Sequence, residues 1–395
     1  MIDLLKVACV FVVILLLLRK KMKVGYVLLI ASLVLYLFYM PGAMGVKSII
    51  KRTLLSHITL VLLIALTAIR MFEMILRERQ VLDGMMKTME RLLRHKRLVV
   101  VSMPLLIGMM PSVGGAYFSA PMVDKATSDM ELTPEEKTFA NYWYRHPWEF
   151  VLPLYPGVVL ASAITSIALR VLILHNLPYA VVMFLVGFYF IKRIKGKNMT
   201  VSRGQRGWAY FLPLMILLFL VIGLNLPIEY ALLIVVTGLL AFYRYSLKKI
   251  ISVIKYGLSP DIILLILGVV CFKETLEITG AVQNIGDFFK QNNIPLLPVV
   301  FFLPFITGIL TGITVGFVSS TFPLILSLTG PEPYLFSLAF AAGYAGVLLS
   351  PVHVCLILTR EYFCADVLPS YRKILPATLI VVAVALIKYS LWKLM

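Results

Sequence analysis

An α-helix needs about twenty consecutive apolar residues to cross a hydrocarbon core of roughly 30 Å, where unpaired backbone amides cannot survive. This chain presents such runs almost without pause. The pattern predicts spanning helices at 3–19, 23–42, 54–76, 138–166, 170–191, 207–225, 227–246, 258–279, 335–359 and 371–392. The longest polar stretches, around 123–137 and 192–206, are too short to fold as soluble domains. Only 14% of the 395 residues are charged, against about a quarter in a soluble protein. A secreted, disordered or ordinary cytosolic enzyme is excluded. The expected fold class is an all-α polytopic protein of the cytoplasmic membrane with about ten transmembrane helices. The first run starts at Met1 and is followed by no small-residue cleavage site, so it is expected to remain as a helix.

The net charge of +18 would suggest a nucleic-acid partner on a soluble domain. Here the basic excess falls in four segments, 19–23, 77–97, 192–206 and 244–255. Basic residues in short loops mark the cytoplasmic face. The charge is therefore read as an orientation signal, helped by anionic lipid, with both termini outside and no nucleic acid bound. Lys47, Lys51 and Arg52 fall on the opposite side in this assignment. Cys9, Cys271, Cys355 and Cys364 lack CxxC spacing, so packing is expected of them rather than a disulfide framework or metal site.

Compared with itself, the chain repeats. Tyr26-Val-Leu-Leu-Ile30 matches Tyr230-Ala-Leu-Leu-Ile234, and Phe38-Tyr39 matches Phe242-Tyr243. Pro104, Gly108 and Ser119 match Pro304, Gly308 and Ser319, and His146-Pro147-Trp148-Glu149 aligns with Ser350-Pro351-Val352-His353. The matches keep their order along the chain. They imply two repeats, 1–191 and 207–395, joined by a basic linker at 192–206. Five spans per repeat, an odd number, would insert the second half upside down, as in secondary transporters.

Two apolar stretches are too rich in Gly and Pro for straight spans. Re-entrant hairpins are expected near 98–122 and 295–328. Their tips would carry Ser112, Gly114, Gly115 and Ser119 in the first half, and Thr311, Gly312, Thr314 and Ser319 in the second. Half-helix N-termini at such tips offer amides to an anion, while carbonyls and hydroxyls can hold a cation. Each hairpin precedes a helix interrupted at a further proline. The first interruption brings His146 and Glu149, the second Ser350 and His353. Ionisable groups deep in apolar sequence usually face a cavity and have a partner. Glu149 and His353 hold equivalent repeat positions, so they are expected on opposite sides of one site.

Blander roles compete. Arg145 and His146, beside Trp143 and Trp148, also fit an aromatic membrane interface, and Glu149 could pair with Arg145 at i, i+4. Arg70, Glu73 and Arg77, and separately Lys273 and Glu277, read as helix-end ion pairs. Residues 84–97 read as an amphipathic interfacial helix. No P-loop, kinase or GxSxG signature occurs, so neither an enzyme nor a resident cofactor is expected.

The stretches GMMPSVGGAYFSAPMVD (108–124), NYWYRHPWEF (141–150) and SPVHVCLILT (350–359) resemble the integral-membrane family called domain of unknown function 401. That resemblance implies membership of the ion transporter superfamily, alongside gluconate permeases, citrate transporters and divalent-anion sodium symporters. It further implies inverted repeats, two re-entrant hairpins, two discontinuous helices, frequent homodimers and elevator-like movement. Sodium-coupled members carry Ser-Asn-Thr clusters at the hairpin tips, which this chain replaces without the asparagine, leaving the substrate open. The leading expectation is a secondary transporter of a small organic anion, coupled to H+ or Na+, with H+ favoured by His146, Glu149 and His353. The alternatives are a cation/proton antiporter and a lipid-carrier flippase or membrane scaffold.

Overall fold

The structure is a computed structural model that describes the chain except residues 1, 41, 94–95, 112–114, 192–206, 281–294 and 395. The basic linker, Ser112 and Gly114 therefore lie outside the described residues. Every regular element among the described residues is helical.

The helices of the two halves follow one order. In the first half they run Ile2–Arg19, Val24–Tyr39, Gly42–Leu55, His57–Glu78, Val81–Leu92, Lys96–Gly108, Gly115–Ala126, Pro134–Arg145, Pro156–Thr165 and Leu169–Phe190. In the second they run Leu212–Leu218, Ile228–Phe242, Leu247–Gly257, Pro260–Ile278, Leu297–Thr311, Thr314–Thr329, Pro333–Leu348, Val354–Phe363 and Val367–Leu394. The contacts are reciprocal as well. Val24–Tyr39 packs on Pro260–Ile278, and Ile228–Phe242 packs on His57–Glu78. The limb Gly115–Ala126 packs on Val354–Phe363, and Thr314–Thr329 packs on Pro156–Thr165.

Helix length decides which elements can cross. At 1.5 Å per residue, the 22 residues of Leu169–Phe190 reach about 33 Å, enough for the hydrocarbon core. The 13 and 12 residues of Lys96–Gly108 and Gly115–Ala126 reach only about 20 and 18 Å, and the two limbs pack on each other. They form a hairpin, as do Leu297–Thr311 and Thr314–Thr329. Pro134–Arg145 and Pro156–Thr165 are likewise half-length pieces of one interrupted span, separated by a 3-10 turn at Pro147–Phe150. Pro333–Leu348 and Val354–Phe363 are the matching pair.

Two helices depart from the sequence reading. Gly42–Leu55 and Leu247–Gly257 form where loops or span ends were expected. Both are short and carry basic residues, so their apolar signal falls short of a span. Leu247–Gly257 meets Pro260–Ile278 at a bend of 41°. The amphipathic helix expected at 84–97 runs instead over Val81–Leu92.

Local chemistry explains the boundaries. Thr133 and Glu136 form a capping box ahead of Pro134–Arg145, with Pro134 in the first turn, where it needs no amide partner. Ser56 and Ser259 cap the helices that begin at His57 and Pro260. The helix Leu297–Thr311 ends at Gly312, whose φ of +63° is open to glycine at little cost.

The charge distribution has two ends. Glu78 accepts from Lys249 at 2.9 Å and Tyr245 at 2.8 Å, and Arg79 donates to the Tyr243 carbonyl at 3.2 Å. The segments 77–97 and 244–255 therefore meet on one face. Arg52, on the wrong side by sequence, faces Glu274 at 3.5 Å, while Lys273 pairs with Glu277 at 2.6 Å. Acidic partners thus accompany basic residues at that opposite end of Pro260–Ile278. The i, i+4 pair Glu73–Arg77 forms as expected, at 2.5 Å.

Two tyrosines yoke the interrupted helices. Tyr142 donates to the Leu348 carbonyl at 2.9 Å, and Tyr344 donates to the His146 carbonyl at 2.9 Å. Both tyrosines are buried, and each hydroxyl bonds a carbonyl at the partner's helix break. Tyr142→Phe and Tyr344→Phe are each expected to cost about 1 kcal/mol. Thermal unfolding in detergent should show both midpoints lowered, the double variant by roughly the sum.

Candidate functional site

The first break is held on three sides. The Trp148 indole donates to the Leu105 carbonyl at 2.8 Å, and Tyr155 donates to the Gly108 carbonyl at 2.5 Å, tying it to the first hairpin. Asn176 donates to the Phe150 carbonyl at 3.2 Å from Leu169–Phe190. Ser337 in turn donates to Asn176 at 2.9 Å. The Phe150 carbonyl inside the break thus has a partner in protein, the condition for irregular chain at membrane depth.

Between the breaks and the hairpin tips lies a cavity of about 240 Å³. Its wall includes Pro111 of the first hairpin, Gly312, Thr314 and Val315 of the second, Arg145, Glu149, Tyr155 and Gly157, and His353 and Cys355. Three helices begin at this wall, at Pro156, Thr314 and Val354. Their N-termini bring the positive ends of three helix dipoles to the same space, and Arg145 lines it with them. A larger cavity, about 440 Å³, sits at the far end of Pro156–Thr165, among His57, Ser166, Arg170, Asn225 and Glu229. It holds none of the clustered groups described next.

The ionisable groups at and beside the smaller cavity are almost wholly out of solvent: Arg145 is 2% exposed, His146 0%, Glu149 7% and His353 6%. Thr314 Oγ1 donates to Glu149 Oε2 at 2.6 Å, linking the second hairpin to the first break. The other carboxylate oxygen lies 3.8 Å from His146 Nε2. His146 and His353 meet through their Nε2 atoms at 2.9 Å. Their Nδ1 atoms face the carbonyls of Tyr142, at 2.5 Å, and Gly312, at 2.6 Å. Arg145 Nη1 donates to Cys355 Sγ at 3.0 Å. This arrangement can hold an anion against the helix N-termini and Arg145, and a cation against Glu149 and the imidazoles.

The residues singled out by sequence divide accordingly. His146, Glu149, His353, Gly312 and Thr314 come together. Ser350 serves the second break instead, donating to the Ile309 carbonyl at 2.6 Å. The Thr311 hydroxyl turns back to Thr307 at 2.8 Å, and Ser319 to Val315 at 2.6 Å, both within their own hairpin limbs. Gly115 and Ser119 are buried on the first hairpin's second limb and are not among the described residues lining the cavity. Arg145 and His146 are both buried inside the protein, beside the cavity. The α-helix ends at Arg145, so the i, i+4 geometry considered for Arg145 and Glu149 does not hold. Cys355 and the tyrosines 142, 155 and 344 were missed. His353-Val-Cys355 at a proline break was the available signal for the cysteine.

Paired hairpins, paired interrupted helices and a buried polar site between them define a polytopic helical membrane protein with a transporter-like fold. The fold is similar to that in the crystal structure of the YdaH transporter of Alcanivorax borkumensis, described as having an unusual topology. That likeness has a TM-score of 0.59 at 12% identity and covers 90% of this chain and 88% of the other. The family model "Protein of unknown function (DUF401)" matches residues 3–391, and the chain belongs to that family. No curated protein matches it.

Proposed function

We propose that the chain is a secondary active transporter of a small organic anion, a carboxylate, driven by a gradient of H+ or Na+. One observation carries this reading: three helix N-termini and a buried arginine converge on a single cavity between the hairpins and the interrupted helices. Such ends attract anionic groups at membrane depth. At about 240 Å³ the cavity lies below the roughly 300–1,000 Å³ of drug-sized sites, which suits a small solute. An ionised Glu149 would place a negative charge inside an anion site, and a cation entering with the solute would offset it. That supports coupling.

The matching order of elements and the reciprocal contacts support two inverted repeats related by a two-fold axis in the membrane plane. In this reading the hairpins and interrupted helices move as one body against the remaining helices in an elevator-like step. The protein works as a homodimer in the cytoplasmic membrane, with both termini outside. The link to gluconate permeases and the ion transporter superfamily belongs to the same proposal.

A proteoliposome uptake screen of small carboxylates, under imposed H+ or Na+ gradients, tests the reading. Uptake of at least one carboxylate that responds to one of the two gradients is expected. Proton release on adding Na+ without any organic solute would instead establish a cation/proton antiporter, which the Glu149–His146 proximity favours. No movement of any solute under either gradient would remove the transporter assignment.

A further inference from the structure

We propose that His146, His353 and Cys355 form a binding site for one transition-metal ion of the zinc class, on the wall of the central cavity. The ligand atoms of the three residues lie within 4.8 Å of one another, and all three residues are buried. The imidazole geometry gives the first reason. A carbonyl oxygen can only accept, so His146 and His353 each carry a hydrogen on Nδ1, directed at Tyr142 and Gly312. With both rings neutral, each Nε2 presents a lone pair, and the two nitrogens face each other at 2.9 Å. A cation between them turns this repulsion into attraction.

The third donor decides which cation. A proton shared by two nitrogens needs no sulfur, yet Cys355 Sγ converges on the same point and already acts as an acceptor, toward Arg145. Glu149 Oε1, 3.8 Å from His146 Nε2, can supply an oxygen at the fourth position. Two imidazoles, a thiol sulfur and a carboxylate suit zinc-like ions, whereas Na+, Mg2+ and Ca2+ take oxygen. Backbone carbonyls on both Nδ1 atoms are the outer contacts that fix ring orientation in metal sites. Zinc–nitrogen bonds of about 2.0–2.1 Å in a tetrahedron set imidazole nitrogens roughly 3.3 Å apart, so the rings need open by only about 0.4 Å. His353, Cys355 and Glu149 line the cavity, which gives the ion a way in.

The site does not rest on the transport reading, and its test requires no uptake. Full-length protein in detergent, stripped with a chelator, would be titrated with Co2+ as a spectroscopic substitute for zinc. One equivalent per chain is expected, with sulfur-to-cobalt charge-transfer absorption and the intense visible bands of a tetrahedral ion, both abolished by Zn2+. Cys355→Ser should remove the charge-transfer band while the protein stays monodisperse, and His353→Gln should weaken binding at least about tenfold. Absence of bound Co2+ in folded wild-type protein would overturn the proposal and leave a shared proton joining the rings. A charge-transfer band that survives Cys355→Ser would also overturn it, since the sulfur would then belong to Cys9, Cys271 or Cys364.

Discussion

Glu149→Gln should reduce gradient-driven uptake about a hundredfold while leaving the protein folded. The amide oxygen still accepts from Thr314, at 2.6 Å in the wild type, so the contact between the second hairpin and the first break survives. What disappears is the only carboxylate among the described residues lining the cavity. A hydrogen bond to a charged group is worth about 1.5–3 kcal/mol, and about 2.7 kcal/mol corresponds to two orders of magnitude in rate. Initial uptake rates and detergent size-exclusion profiles, measured side by side, separate function from folding. Unchanged uptake would reduce Glu149 to a structural tie. Uptake that persists but no longer responds to either gradient would identify it as the coupling group alone.

A second large effect is expected at Gly308, where Leu297–Thr311 and Pro333–Leu348 approach backbone to backbone. A Cβ at this position would collide with the Gly343 carbonyl oxygen, and neither helix can yield without opening the hairpin. Ordinary overpacking of a core costs about 1–3 kcal/mol. Gly308→Leu forces main chains apart instead of side chains, so its cost should exceed that range. Fluorescence-detected size exclusion should show loss of the monodisperse peak, or a markedly lower unfolding midpoint. Gly238→Leu is the matched control, because a Cβ there meets nothing within 4 Å. Its profile should match the wild type.

The interruptions were legible in the sequence because they are covalent. Pro147, Pro156 and Pro351 each remove a helix hydrogen bond, as do Pro178 and Pro304 inside continuous helices, and Gly312 is tolerated where the chain must take a positive φ. The same marks recur in both halves, so the hairpins and broken spans could be placed within a few residues. The meeting of His146 with His353 was not legible. By repeat symmetry His146 corresponds to Ser350, and His353 to Glu149, so the sequence pointed to Glu149 and His353 as opposed partners. Helix packing decides instead. The two rings come into contact across the breaks, and Glu149 reaches toward Thr314 on the neighbouring hairpin. Arg145 was obscured by its neighbours, because tryptophans flanking a charge look the same at an interface and around a buried cavity. The helices Gly42–Leu55 and Leu247–Gly257 were missed because their polar faces dilute the apolar signal that marks a span.

The crosswise contacts between halves bear on how the protein is made. The limb Gly115–Ala126 packs on Val354–Phe363, and Pro156–Thr165 packs on Thr314–Thr329, so each half completes the site of the other. Ribosomes deliver the amino-terminal half first. Until the second half arrives, Arg145, His146 and Glu149 lack Cys355, His353 and Thr314. The nascent chain must therefore pass through an inserted but unlocked stage, and the membrane has to shelter these groups while about two hundred more residues are synthesised.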